Sequence, residues 1–149
     1  MDEYIILRDQ EDKTTKLIET AVSVFIKNKK LLMDKRLPSK AIYPGLLMCP
    51  SGLMQEEELF EDSIKRRMKE ELGITVEKSE YLFSIPDTDP ISRKKFSHNF
   101  IVINKYLGEI KKSKEAEDLQ WLTYDQLKEQ KLVPIVEKLV DSLRRMNYF

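Results

Sequence analysis

Cysteine, histidine and tryptophan occur once each among 149 residues. A lone cysteine excludes an internal disulfide and fits a reducing compartment, so a cytoplasmic location is expected. Cys49, beside Pro50, reads as a packed side chain rather than a nucleophile. The lone histidine, His98, lies in FSHNFIVI with no second histidine or cysteine nearby, which argues against a transition-metal centre and leaves it no catalytic role. Charge of one sign is not in excess either: Lys and Arg number 26, as do Asp and Glu. Without a global field, neither nucleic acid nor an anionic membrane is an expected partner, and any phosphate site must be local. No apolar run approaches membrane-spanning length. The acidic opening MDEYIILRDQED lacks the basic region and apolar core of a signal peptide, so none is expected. There are no repeats and no low-complexity segments.

What is present is ordinary globular material, 41% hydrophobic and long enough for one domain spanning residues 1–149 with a real core. Tyr4 to Leu7 reads as an edge strand and Arg8 to Lys13 as a polar turn. Leu17 to Ile26 and Leu31 to Met33, separated by Lys27-Asn28-Lys29-Lys30, read as a hairpin whose second strand closes on Lys35 and Arg36. Leu37 to Ser51, with three prolines and Gly45, reads as a loop. Strands are expected over Thr75 to Ile85, Phe96 to Tyr106 and Leu119 to Thr123, with an exposed loop over Pro86 to Lys95. A mobile polar connection is expected over Glu109 to Glu117. Tyr124 to Gln130 reads as helical. A last helix starts near Leu132 with Pro134 in its first turn, and Leu132, Val136, Leu139, Val140 and Leu143 give it one apolar face. Strands on both sides of a central helix indicate an α+β fold with a mixed sheet.

That central helix is the most informative stretch. From Glu57 to Leu72 there is no Gly or Pro, and at about 100° per residue Phe60, Ile64, Met68 and Leu72 share one apolar arc. Glu70 and Glu71 fall about 60° and 40° either side of Arg67, so all three project together on the neighbouring face. Gly73 ends the helix. A solvated helix with Arg66–Glu70 and Arg67–Glu71 pairs would show the same residues. The joint spacing of Gly52, Glu58, Arg66, Met68, Glu70, Glu71, Gly73 and Ile74 says more, because GLMQEEELFEDSIKRRMKEELGI resembles the Nudix box. One position departs from it: Arg67 stands where the family has Glu.

The resemblance implies a Nudix-type α/β/α sandwich and a hydrolase acting on the acid anhydride bond of a diphosphate, with Mg²⁺, or Mn²⁺ in its place, as cofactor. It places metal ligands on Glu70 and Glu71 and a backbone carbonyl ligand on Ser51, where YPGLLMCPSG resembles the approach to the box. Two carboxylates fixed on one helix suit a hard cation that keeps exchangeable positions for phosphate. Glu58 and Arg66 match the family's structural pair, with Gly52 and Gly73 as further support. In EAEDLQW, Glu115 matches a further acidic ligand or base, with Glu117 second; a solvated acidic loop would look alike. Lys35 and Arg36 are candidates to reach the diphosphate, against the plainer reading of a solvated strand end. Arg67 alters the local charge by two units, cannot act as a base and repels a second metal. Three outcomes follow: Glu115 or another carboxylate supplies the base, one metal works with Arg67 holding phosphate, or the site only binds.

The leading expectation is a Mg²⁺-dependent hydrolase of a nucleoside diphosphate derivative, its activity reduced by Arg67. Tyr43, Phe83, Phe96 and Trp121 are candidates to stack on a base, though each also suits the core. DEYIILRDQED, KRLPSKAIYPG and Cys49 look similar to isopentenyl-diphosphate isomerases, a second class. Cys49 lacks the Cys-Gly-His or Cys-Ser-His context of that branch. A third class is a non-catalytic nucleotide-binding module. Many relatives of this kind pair as homodimers, and no stretch here marks an interface.

Overall fold

The computed structural model describes residues 16–149. The expected strand Tyr4 to Leu7 and turn Arg8 to Lys13 fall outside them. In chain order the elements are β1 (Ile18–Val24), β2 (Ile26–Lys27), β3 (Lys30–Arg36), β4 (Leu47–Met48), β5 (Ser51–Leu53), α1 (Phe60–Leu72), β6 (Thr75–Thr88), β7 (Lys95–Leu107), β8 (Ala116–Leu122), α2 (Tyr124–Lys128) and α3 (Pro134–Arg145).

Alternation along the strands sets the layers. β1 sends Val22 and Val24 to one side and Ala21 to the other; β3 sends Leu31 and Met33 against Leu32; β7 sends Phe100 and Val102 against Ile101 and Ile103. Strands apolar on both faces need cover on both. α1 supplies it on one side with Ile64, Met68 and Leu72. On the other side α2 and α3 supply it with Leu127, Ile135, Val136, Leu139, Val140 and Leu143. The α/β/α sandwich is therefore present. One sheet has the order β5-β1-β7-β6 and is mixed, since β1 runs parallel to β7 and every other pair is antiparallel. In the other, β3 takes β8 on one edge and both β2 and β4 on the opposite edge.

Several local expectations are corrected. The hairpin is only β2 with β3, turned at Asn28 and Lys29, both with positive φ (54° and 61°). β1 leaves for the other sheet, because Val22 and Val24 are needed beside Phe100 and Val102. The stretch expected to be loop before Gly52 contains β4 and begins β5, which deliver the chain to the box. β6 runs through Pro86 to Thr88; a proline is tolerated there because β6 is an edge strand. Phe60, at the start of α1, stays 36% exposed and stacks on Tyr81 with ring centroids 5.0 Å apart. α3 starts at Pro134 rather than near Leu132, which stays outside the helix, and Ile135 joins its buried face. Among the described residues no helix is long and apolar enough to cross a membrane.

Candidate active site

α1 is fixed at both ends. Gly73 takes the left-handed conformation (φ 73°) and its N–H bonds to Lys69 O at 3.2 Å, closing the helix as the spacing predicts. Upstream, Arg66 clasps Glu58 with two bonds of 2.9 Å, from Nε to Oε2 and from Nη2 to Oε1. Arg66 Nη2 also reaches Leu53 O at 3.3 Å, and Glu58 Oε1 accepts from Gln55 N at 2.8 Å. Arg66 thereby holds Glu58 far below its usual range, to about pKa 2, and the pair pins the segment after β5 to the middle of α1. Gly52 and Ser51 are in β5, opposite Ala21 and Val22 of β1.

The next face of α1 carries Arg67, Glu70 and Glu71 together. Arg67 Nη1 donates to Glu70 Oε1 at 3.1 Å and Nη2 to Glu71 Oε2 at 2.9 Å. Arg66 Nη1 lies 3.6 Å from the same oxygen of Glu70. The i,i+4 pairs expected of a solvated helix thus exist, but this face is not simply solvated. Glu71 and Arg67 keep only 22% and 24% of their side chains exposed, against 53% for Glu70. Arg67 also packs on Gly52: a Cβ there would fall 1.8 Å from Nε, so glycine is required beneath it.

Asp34, on β3, was not foreseen. Alternation puts it on the side of Leu32, facing α1. Burial, and secondarily the charge of Glu71, raise its carboxyl to about pKa 6 against the pull of Arg36, Lys40 and Lys112. The signal available in the sequence was an acid directly after Leu31-Leu32-Met33, at a position that alternation sets on the same face as Leu32. Lys40 and Lys112 were equally unforeseen. Lys112 is held by Ala116 O at 2.9 Å, and its neighbour Lys111 bonds through its N–H to Leu72 O at 3.0 Å, which brings the β7–β8 connection to the end of α1.

The remaining candidates each have partners of their own. Glu115 is 67% exposed and paired with Lys40, which lowers its pKa. Glu117 is 3.7 Å from Lys35, so Lys35 leans to β8. Arg36 donates through Nε to Ile42 O at 2.8 Å while its charge acts on Asp34. Cys49 is buried, its thiol pushed up to about pKa 12 by burial and by Asp34. His98 contacts Thr20 Oγ1 at 2.8 Å and Asp87 at 3.4 Å, and burial lowers its pKa.

Among the described residues no cluster of three or more His, Cys, Asp or Glu is arranged as a ready cage for a metal ion. Glu70 and Glu71 are adjacent on α1, and Glu71 is near enough to Asp34 for its charge to raise that carboxyl. This suits a hard cation such as Mg²⁺, which takes one or two carboxylates and completes its shell with water and substrate phosphate. Arg36, Lys40 and Lys112 all act on Asp34 through their positive charges, a local concentration of basic groups in a protein without net charge.

Comparison with known proteins identifies the family and the fold. The family model described as the NUDIX domain matches residues 17–143. No curated protein sequence matches. Among solved structures, a MutT NUDIX hydrolase from Burkholderia pseudomallei aligns with TM-score 0.75 at 21% identity, covering 85% of this chain and 97% of that one. A MutT protein from Methanosarcina mazei Go1 aligns with TM-score 0.76 at 17% identity, covering 89% and 96%. The NUDIX domain of Shewanella oneidensis NrtR, solved in complex with ADP ribose, aligns with TM-score 0.66 at 17% identity over 93% and 94%. At these identities the likeness is one of fold.

Proposed function

Because the chain belongs to the NUDIX domain family, we propose that it is a Mg²⁺-dependent pyrophosphohydrolase that cuts the diphosphate linkage of a nucleoside diphosphate derivative. The observation that carries this reading is the pair Glu70 and Glu71 side by side on α1, with the charge of Glu71 acting on Asp34 of β3 and those of Arg36, Lys40 and Lys112 acting on Asp34 in the opposite sense. Glu70, Glu71, the Ser51 carbonyl and Glu115 are the groups that would hold the cation; when bound, it neutralises phosphate charge and activates water. Lys40, Lys112 and Arg36 attract and align the diphosphate, while the Glu58–Arg66 clasp keeps the Gly52 segment at a fixed distance from α1. The proton of the attacking water goes to Glu115, held beside Lys40, or to Asp34, whose raised pKa suits a base near neutral pH.

The experiment is a panel of nucleoside diphosphate derivatives, ADP-ribose among them, incubated with Mg²⁺ or Mn²⁺ and resolved by chromatography. Two mononucleotide or phosphate products from one member support the reading. A second reading, a nucleotide-binding module without turnover, is favoured by Arg67 bridging both carboxylates; tight binding in the panel without product would select it. The isopentenyl-diphosphate isomerase reading needs a cysteine that exchanges protons near neutral pH, and the burial and raised pKa of Cys49 weigh against it.

A further inference from the structure

Arg67 reaches across the face of α1 that a cation would share. Its two terminal nitrogens grip Glu70 Oε1 and Glu71 Oε2, at 3.1 and 2.9 Å, so each carboxylate already has a positive partner. Its stem lies on the Gly52 backbone, and Nε is buried there without a hydrogen-bond partner among the described residues. The closed arrangement therefore leaves one donor unsatisfied. Arg66 leaves Glu71 to Arg67: its Nε and Nη2 are held by Glu58 and the Leu53 carbonyl, and its Nη1 stands 3.6 Å from Glu70 Oε1.

We propose that Arg67 is an internal counter-ion that closes Glu70 and Glu71 against a divalent cation until a diphosphate draws its guanidinium away, so that metal and diphosphate bind cooperatively. The inference rests on the reading of Glu70 and Glu71 as cation ligands. A cation arriving alone must displace Arg67 from both carboxylates and then sit beside its charge. A diphosphate arriving alone meets two carboxylates. When both arrive, the planar fork exchanges two carboxylate oxygens for two phosphate oxygens, which fit it equally well, and the freed carboxylate oxygens turn to the cation. Each ligand then strengthens the other by the same factor.

The test uses the full chain and Mn²⁺, whose free fraction is read by electron paramagnetic resonance, with and without methylenediphosphonate as a non-hydrolysable diphosphate. Mn²⁺ bound by the diphosphonate in solution is measured separately and subtracted. Arg67→Gln should bind Mn²⁺ alone about tenfold more tightly than wild type, because the competing charge is gone. The tightening produced by diphosphonate should be about tenfold larger in wild type than in Arg67→Gln. Gly52→Ala, whose Cβ would collide with Arg67 Nε, reaches the same end from the other side and should copy the metal-alone gain. Circular dichroism confirms that each variant is folded. Equal Mn²⁺ affinity in wild type and Arg67→Gln, or equal coupling to diphosphonate, overturns the proposal. Glu71→Gln then separates the two readings: weakened Mn²⁺ binding leaves the carboxylate site standing without the counter-ion, and unchanged binding removes both.

Discussion

Replacing Glu58 with Gln tests how the site is held in place. In the folded chain Glu58 accepts two bonds of 2.9 Å from Arg66 and one of 2.8 Å from Gln55 N, with only 11% of its side chain exposed. The Gln55 bond survives in the amide, as does one bond from Arg66; the second oxygen becomes an NH₂ facing another donor. Losing one charge-assisted bond in a mostly buried pair costs about 2 kcal/mol, which for a domain of this size lowers Tm by about 6 °C. The pH dependence has a definite sign. Arg66 holds Glu58 at about pKa 2 against 4.5 in the unfolded chain, so its stabilisation is fully present above pH 4.5 and is lost as pH falls towards 2. Calorimetric melts of wild type and Glu58→Gln should therefore differ by about 6 °C at pH 7, with the gap narrowing below pH 4.5 and closing as pH approaches 2. A gap that is unchanged at pH 3, or absent at pH 7, refutes the account of the clasp.

Asp34→Asn should raise stability at neutral pH. A carboxyl whose pKa rises from 3.8 to about 6 on folding stabilises the fold at low pH and loses that advantage as pH climbs through this window. After discounting for solvent screening at a part-exposed group, melts at pH 7.5 should show a gain of about 1 kcal/mol, disappearing near pH 4. Glu115→Gln should leave Tm within about 1 °C, since an exposed ion pair contributes little. Its hydrolysis should fall by about a hundredfold if it is the base, and an unchanged rate would move that role to Asp34. Cys49 should resist a thiol-specific disulfide reagent at pH 8 in the native protein and react once denatured; fast native labelling would contradict its burial.

Residues 60–73 were legible because an uninterrupted helix with a glycine stop obeys local rules, and the facing of Arg67, Glu70 and Glu71 follows from helix geometry alone; Glu57, with φ of 61°, and the extended Leu59 stand outside the helix that the stretch from Glu57 suggested. Alternation made β3 and β7 visible as strands, but not their partners. The run from Leu17 to Met33 looks like one hairpin, and only the pairing of Val22 and Val24 with Phe100 and Val102 shows β1 leaving for the other sheet. Pro86 read as a loop because its position on an edge strand is a tertiary fact. Asp34, Lys40 and Lys112 escaped notice for a similar reason. They are 78 residues apart in sequence at their extremes (112 minus 34) and acquire meaning only when β3 and the connection before β8 meet beside α1. Arg67 was conspicuous as a departure, yet its packing on Gly52 was invisible until the box turned back on itself.

The central claim is that the acidic face of α1 handles a diphosphate through a divalent cation. Its most direct test is the rate of Mg²⁺-dependent product release by the Glu70→Gln/Glu71→Gln double variant, on whichever panel member wild type cleaves. The account predicts a fall of at least about a hundredfold with the fold intact by circular dichroism. Turnover equal to wild type would contradict it.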